Sequence, residues 1–410
     1  MKIKHIETFI LHIPFYCDRV KRNMHRANTH GEQMYVYRVE MDNGVIGYGE
    51  SQGGGSGNVE RLLGQSPFAV MQDDGIGFGI QMALFDAVGK AEGVPVYNLL
   101  GTKVRDRCPI SWWDIDMPPA EWVEEAKESV KRGYTSFKMK ARPWRDIFEQ
   151  VEAVAEVVPP GYHFDIDFNG FLRTANNAAP VLQGLDRYPN VAYYESPFYL
   201  ATDLKGAARL QKQVKNTIVE HFNEACLHAR CCGGFVVGGG ATGTRRIGAL
   251  CASFDKPFWL QMVGTGITTA YAMHFGAVLS HAQIPAITCH ELWEHDLLKK
   301  RLEVIDGHIR VPEEPGLGIE VDEDALERYR VEPGTPAPHT LYRQQRRVCR
   351  VHWPSLGGQE KIVDFTDENV YYPAFLQGKY PGFVRGVLME IIEDDGSATF
   401  ESLHEKAISS

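Results

Sequence analysis

Apolar and polar positions alternate with a period of two through KIKHIETFIL, QMYVYRVEM and VIGYGES, and the turn Asp42-Asn43-Gly44 separates the last two runs. That period sends successive side chains to opposite faces of a strand, and Asn-Gly tolerates the positive φ of a tight hairpin, so the stretch predicts an antiparallel meander. Gly53 to Gly57 read as a connection. From Gly79 the period changes: GIQMALFDAVGKAEGVPVYNLLG carries apolar residues at helical spacing and closes on Pro95 and Gly101.

After Pro109 the rhythm becomes strand, helix, strand, helix. ISWW precedes PAEWVEEAKESVKRG, SFKMK precedes RDIFEQVEAVAEVV, HFDID precedes an Asn-rich loop and VLQGLDRY, and VAYYE precedes LKGAARLQKQV. TIVE, FVV, PFWLQ and AITCHE complete eight candidate strands. Eight parallel strands alternating with helices predict an α/β fold closed as a (β/α)8 TIM barrel, which takes about 250 residues and leaves room for a second domain. Past Tyr329 the alternation stops. PGTPAPH reads as a linker, RRVCRVHW and FVRGVLMEIIEDDG as a few strands, and the end as a polar tail.

Three acidic residues close three successive strands: Asp167 ends HFDID, Glu195 ends VAYYE and Glu220 ends TIVE. At the C-terminal ends of parallel barrel strands these carboxylates converge, and hard oxygen donors of that kind suit Mg²⁺. One strand earlier, Lys138 and Lys140 of SFKMK lie two residues apart and point the same way. A Lys pair alone is usually a solvated strand face, and a lone strand-end acid is often a cap for the next helix. Three acids on successive ends, preceded by the lysine strand, fit caps poorly. The combination points to removal of a proton alpha to a carboxylate, with Lys140 as the base and Lys138 as the charge that lowers its proton affinity.

Composition narrows the partners. The net charge of −10, with no dense basic block before residue 340, argues against a nucleic-acid surface and for a small-molecule partner, which the strand-end chemistry makes a carboxylate substrate. Arg343, Arg346, Arg347 and Arg350 form a local basic cluster, read as a solvated or subunit-facing strand. MKIKHIETFILHIPF is interrupted by His12 and Pro14 before signal-peptide length, and no apolar run reaches about 18 residues, so a cytoplasmic protein with no membrane span is expected. The eight cysteines, scattered without C-x-x-C spacing, are expected to be buried thiols.

The chain resembles the mandelate racemase and muconate lactonizing enzyme family of the enolase superfamily from residue 1 to about residue 330. The matching pieces are GYGES (Gly47 to Ser51), MALFDAVGKAEGVPVYNLLG (Met82 to Gly101), FKMK (Phe137 to Lys140), DFN (Asp167 to Asn169), YYESPF (Tyr193 to Phe198) and PGLGIEVDEDAL (Pro315 to Leu326). The resemblance implies an α+β capping domain over 1–105, a modified barrel over 106–330, and a C-terminal extension over 331–410 that packs back on the capping domain or at a subunit interface. It implies that Asp167, Glu195 and Glu220 bind Mg²⁺, that Lys140 is an acid/base catalyst, and that Glu291 in CHELWEHDLL hydrogen-bonds the substrate carboxylate. The loop from His25 to Gly31 corresponds to the one that helps choose substrate, and a homo-oligomer is expected.

Two departures shape the expected reaction. Relatives with the mandelate racemase arrangement carry an Asp on the sixth strand and a His on the seventh, where this chain reads FVVGGG and FWLQMVG; the muconate lactonizing type has a lysine at the sixth strand end, and FVVGGGATG has none. His221 directly follows Glu220 and His290 directly precedes Glu291, so both histidines are expected to face away from the interior. One base suits β-elimination, so dehydration of a sugar acid or related hydroxy acid is expected. The alternatives are a racemase, epimerase or cycloisomerase of a carboxylate, a metal-binding homologue without catalysis, and nucleotide binding at Gly238 to Gly243, where the G-x-G-x-x-G spacing lacks the acid expected about 20 residues later.

Overall fold

The structure is a computed structural model and describes residues 1–27, 29–53 and 59–409. Apart from Gly53, the expected Gly53 to Gly57 connection lies outside the described residues, as does Asn28 of the His25 to Gly31 loop. Internal contacts divide the chain into two compact units: 1–21, 30–113 and 235–338 form the first, and 22–29, 114–234 and 339–410 the second. Among the described residues, no helix is long and apolar enough to cross a membrane.

In the first unit, strands Ile3–His12, Gln33–Met41 and Ile46–Ser51 pair antiparallel in that order. The Asn-Gly hairpin forms as its sequence requires, with Gly44 at φ 83. A helix, Asp18–Ala27, intervenes between the first two strands; its buried apolar face reduces to Val20, Met24 and Ala27 in an otherwise polar sequence, too short an apolar pattern for periodicity to reveal. The run from Gly79 to Gly101 is two helices, Phe78–Glu92 and Val96–Leu100. Gly93 ends the first in the left-handed region at φ 69, and Pro95 has no N–H with which to continue it.

The motif residues of this unit are framework. Gly47 and Gly49 bring their strand so close to the Phe78–Glu92 helix that a Cβ on Gly49 would stand 2.0 Å from the Gly79 carbonyl oxygen. Buried Asp86 of FDAVGK accepts from Tyr48 N at 2.9 Å and Leu317 N at 2.8 Å, tying GYGES and PGLG to one helix. Glu50, fully enclosed, accepts from the N–H groups of Thr265 and Thr268, both at 2.7 Å, and so caps the buried helix Gly266–Val278.

The same unit holds the parallel pair Gly234–Val237 and Phe258–Leu260, in which Phe235 faces Phe258. AITCHE is not the full strand its sequence predicts. Parallel pairing reduces to bridges at Ile110–Ala286 and Gln261–Ile287, and Cys289 at φ 58 then turns the chain into a short 3-10 turn, His290–Leu292.

In the second unit, Ser136–Lys140, His163–Asp167, Val191–Glu195 and Thr217–His221 are parallel neighbours in chain order. Ser136–Lys140 is buried at every position, as a strand covered on both faces must be. The C-terminal segment adds an antiparallel sheet, centred on Arg347–Leu356, and three helices; the end read as a polar tail is the helix Ala398–Ser409. It packs on the start of the Ile147–Ala155 helix. Arg145 donates to Met389 O at 2.7 Å, Gly386 N donates to Asp146 at 2.7 Å, and Trp144 meets Tyr371 edge-on with ring centroids 4.7 Å apart. Within the basic cluster, Arg346 is bidentate on Glu401 and Arg350 on Asp364, so half of those charges are met inside the segment. All eight cysteines are free thiols, and every one except the half-buried Cys17 is buried.

Two stability predictions follow from the first unit. Because backbone cannot yield as a flexible side chain can, Gly49→Ala should lower unfolding stability by about 1–3 kcal/mol, whereas Gly53→Ala, with nothing within 4 Å of its Cβ, should stay within about 0.5 kcal/mol; urea denaturation of both variants reads the difference. His274 is enclosed, with Tyr97 N donating to Nδ1 at 3.2 Å and Nε2 placed 3.1 Å from Leu317 O as donor. Burial lowers its pKa from 6.5 to about 4, against the opposing Leu317 hydrogen bond. Between those values the unfolded chain binds a proton that the folded chain refuses, so stability falls as pH drops through the window, by on the order of 3 kcal/mol. His274→Gln should flatten that part of the slope in urea titrations compared between about pH 7 and about pH 4.5.

Candidate active site

Strand register sets the site. Lys140 pairs with Asp167 and Asp167 with Glu195, so one amine and two carboxylates stand level across three neighbouring strands; Glu220 follows Val219, the partner of Glu195. Lys138, Lys140, Asp167, Glu195 and Glu220 are all buried. Lys140 Nζ is in close contact with Asp167 Oδ2 and donates to Asn169 Oδ1 at 3.2 Å. Lys138 Nζ is in close contact with Glu195 Oε2 and lies 3.9 Å from Asp167 Oδ2. Asn169, at φ 44, folds its own N–H back to Asp167 Oδ1 at 2.9 Å, which fixes the loop directly after the strand.

Burial and neighbouring charge act in opposition here. Burial lowers the proton affinity of Lys140; Asp167 opposes this, Lys138 reinforces it, and the net direction is down. Burial alone would raise Glu195, but the charges of Lys138, His221 and Lys140 hold it well below the usual carboxylate range. Both Glu195 oxygens are enclosed without a hydrogen bond of good geometry, so charge rather than directional bonding retains this carboxylate.

Glu220 is held differently. Ser196 Oγ donates to its Oε1 at 2.6 Å, as does His221 N at 2.8 Å, while Leu200 N reaches Oε2 at 3.2 Å. Burial raises its proton affinity, with those donors opposing. Among the described residues, no three His, Cys, Asp or Glu side chains converge as a ready-made metal cage. The donor chemistry nevertheless fits a hard divalent cation: three carboxylates close three consecutive parallel strands, and one of them is buried with oxygens that no hydrogen bond claims.

His221 corrects an expectation. Strand alternation predicted that it faces away, yet its Nε2 lies 3.2 Å from Glu195 Oε1, and that contact raises its proton affinity. It shares the strand parity of Val219, the residue paired with Glu195, two positions earlier in the strand Thr217–His221. Asp165 was missed, although its spacing of two from Asp167 gives it the same strand parity. It is buried, neither oxygen is hydrogen-bonded, and burial raises its pKa to about 8 despite Lys138.

Glu291 belongs to the first unit. It sits on the 3-10 turn, accepts from Trp113 N at 2.7 Å, and has His290 Nδ1 3.4 Å from its Oε2. The glycine-rich loop is not organised for phosphate. Asp74 accepts from Thr242 N at 3.0 Å and Gly243 N at 2.7 Å, and Gln81 accepts from Ala241 N at 2.7 Å, so the helix N-terminus that would bind an anion already serves this chain's own side chains.

Comparison with known proteins agrees with this arrangement. Residues 121–226 and 235–325 match the family described as enolase C-terminal domain-like. The chain is 26% identical over 293 residues to D-gluconate dehydratase of Thermoproteus tenax, covering 62% of this chain and 56% of that protein. It is 28% identical over 285 residues to a probable glucarate dehydratase of Streptomyces coelicolor, covering 60% and 64% respectively. The alignments thus span less than two thirds of those relatives. In fold it is similar to the N-succinyl Arg/Lys racemase of Bacillus cereus, with a TM-score of 0.67 and 21% identity over 81% of this chain and 99% of that one. That likeness, with seven parallel strands in chain order among the described residues and a separate antiparallel N-terminal sheet, makes this an α/β protein of the enolase-type TIM-barrel fold, one strand short of the eight expected. The matched residues, just under half of the chain, are similar to the enolase C-terminal domain-like family, to which the mandelate racemase and muconate lactonizing enzyme resemblance of the motifs also points.

Removing one partner from a buried ion pair leaves the other charge uncompensated. Lys138→Met should therefore cost the metal-free protein about 3–5 kcal/mol, read as a lowered urea midpoint in the presence of a chelator.

Proposed function

We propose that this protein is a Mg²⁺-dependent lyase that dehydrates a sugar acid or related hydroxy acid, with Lys140 taking the proton alpha to the carboxylate. The observation that carries the reading is the buried Lys140 amine, lowered in proton affinity and packed against a strand-end carboxylate. Lowered proton affinity moves the amine from the range of an exposed lysine toward that of a general base.

Asp167, Glu195 and Glu220 would hold the ion, and when bound it supplies Lewis acidity at the substrate carboxylate. Lys138 keeps Glu195 ionised and adds a second positive charge against protonation of Lys140. His221 steadies Glu195 from its other oxygen. Glu291 is assigned to the substrate carboxylate by resemblance, with its Oε1 also serving Trp113. Proton removal by Lys140 and departure of the β-hydroxyl as water would leave an enol that becomes a 2-keto-3-deoxy acid.

Dehydration is favoured over racemisation, epimerisation or cycloisomerisation because the strand end at FVVGGG offers glycines where a second base would be required. The names of the two dehydratase relatives point the same way. A cytoplasmic homo-oligomer fits the free cysteines and the fold.

Incubating aldonic and aldaric acids in D₂O with Mg²⁺ should give a deuterated 2-keto-3-deoxy product. Exchange into recovered acid without elimination would instead indicate an isomerase. Lys140→Ala should lower turnover by at least about 10²–10⁴-fold while Mg²⁺ binding, followed by calorimetry, persists; unchanged turnover would remove Lys140 from the mechanism.

A further inference from the structure

Arg142 lies two residues beyond Lys140, and Ala141 N still donates to Asp167 O at 2.9 Å, so strand pairing runs on past the strand end. Alternation then sends Lys138, Lys140 and Arg142 to the same side. Arg142 is only 5% exposed. Among the described residues no carboxylate stands within ion-pair distance of it; it donates to Ala141 O at 2.9 Å and lies over the Phe171 ring at 5.5 Å. A guanidinium has five N–H donors, and a buried one without a counter-ion is costly unless something else uses it. Arg26 and Arg145 of the same unit show the usual solution, since they share Asp116 at 2.7 and 3.5 Å.

Phe171 is also met from the C-terminal segment. Tyr372 meets that ring edge-on with centroids 4.7 Å apart, and its hydroxyl has no hydrogen-bond partner among the described residues. The charges of Arg142 and Asp167 both act on Tyr372, which therefore stands near the Arg142 guanidinium and near Asp167. Glu368, one turn earlier on the helix Glu368–Leu376, has a buried oxygen without a partner, and burial raises its pKa to about 7 against the charge of Arg26. Near neutrality it is only partly ionised, so it leaves much of the positive charge of Arg142 uncancelled.

We propose that Arg142 is a specificity residue that takes a second, distal carboxylate of the substrate, that Tyr372 completes this subsite, and that the substrate class is therefore dicarboxylic hydroxy acids. The assignment rests on the dehydratase reading above. A planar guanidinium backed by an aromatic ring binds carboxylate in a bidentate fork. Residues two apart on a strand are about 7 Å apart, close to the end-to-end length of a six-carbon chain, so one substrate could reach from Lys140 to Arg142. Tyr372 lies outside the region that matches the family, so this chain supplies that wall itself.

The test uses the full-length protein with Mg²⁺. In turnover, the ratio of kcat/KM for glucarate over gluconate should favour the diacid, and Arg142→Gln should collapse that ratio by roughly a hundredfold, the scale for a buried charged pair. Arg142→Lys should restore part of it, and Tyr372→Phe should raise KM for the diacid more than it lowers kcat. In binding, which needs no turnover, calorimetry should show adipate bound at least about tenfold more tightly than hexanoate, a preference that Arg142→Gln abolishes. Equal binding of the two acids by the wild type, or an Arg142→Gln variant that keeps the preference, would overturn the assignment. Absence of dehydration with a persistent Arg142-dependent adipate preference would overturn the dehydratase reading while leaving the distal carboxylate site in place.

Discussion

The second unit depends on an exchange of charge inside a closed space. Lys138 and Lys140 are buried, and neither amine could remain there ionised without Asp167 and Glu195. The carboxylates have the same need in reverse, and Glu195 is kept charged by the lysines together with His221. Parallel register makes the exchange workable by setting Lys140, Asp167 and Glu195 level on adjacent strands. The same closeness that stabilises the lysines also sets their chemistry, because burial and mutual repulsion lower proton affinity while the acids raise it.

Buried carboxylates serve two purposes in this chain, and their partners tell them apart. Glu50 and Asp86 are satisfied largely by backbone N–H groups, and Glu50 sits at a helix start. Such donors do not move, so these acids hold segments of the first unit in place. Asp167 and Glu195 face amines instead, whose protons and positions can change. Glu220 lies between the cases, since a serine hydroxyl and two backbone groups now share it. Motif residues far apart in sequence thus divide into a rigid frame and a responsive centre.

The C-terminal segment has a different relation to the family. Its sheet and helices fall outside the matched residues, yet Tyr371 packs on Trp144 and Tyr372 on Phe171, which follows Asp167 by four positions. Chemistry shared with the family is therefore bordered by a wall that the family match does not include. Aromatic rings suit this position because they exclude water over a large area while presenting a hydroxyl at the edge.

Much of this was legible in the amino-acid order. Period-two alternation revealed the N-terminal meander, and the repeated strand-helix rhythm revealed the parallel strands, because each pattern reflects a local geometry that neighbouring residues impose on themselves. The spacing of Asp167, Glu195 and Glu220 at strand ends, with Lys138 and Lys140 one strand before, was readable for the same reason. Tertiary structure alone decided the rest. His221 turns toward Glu195 because it shares the parity of Val219, the partner of Glu195, AITCHE keeps only isolated bridges before Cys289 turns in the left-handed region, and Asp74 caps the glycine-rich loop from about 170 positions away in sequence. Arg142 is buried with no carboxylate within ion-pair distance among the described residues, a property of everything that packs around it. Sequence fixes periodicity and chemical type, whereas burial, register beyond strand ends and the pairing of distant charges exist only once the chain has closed on itself.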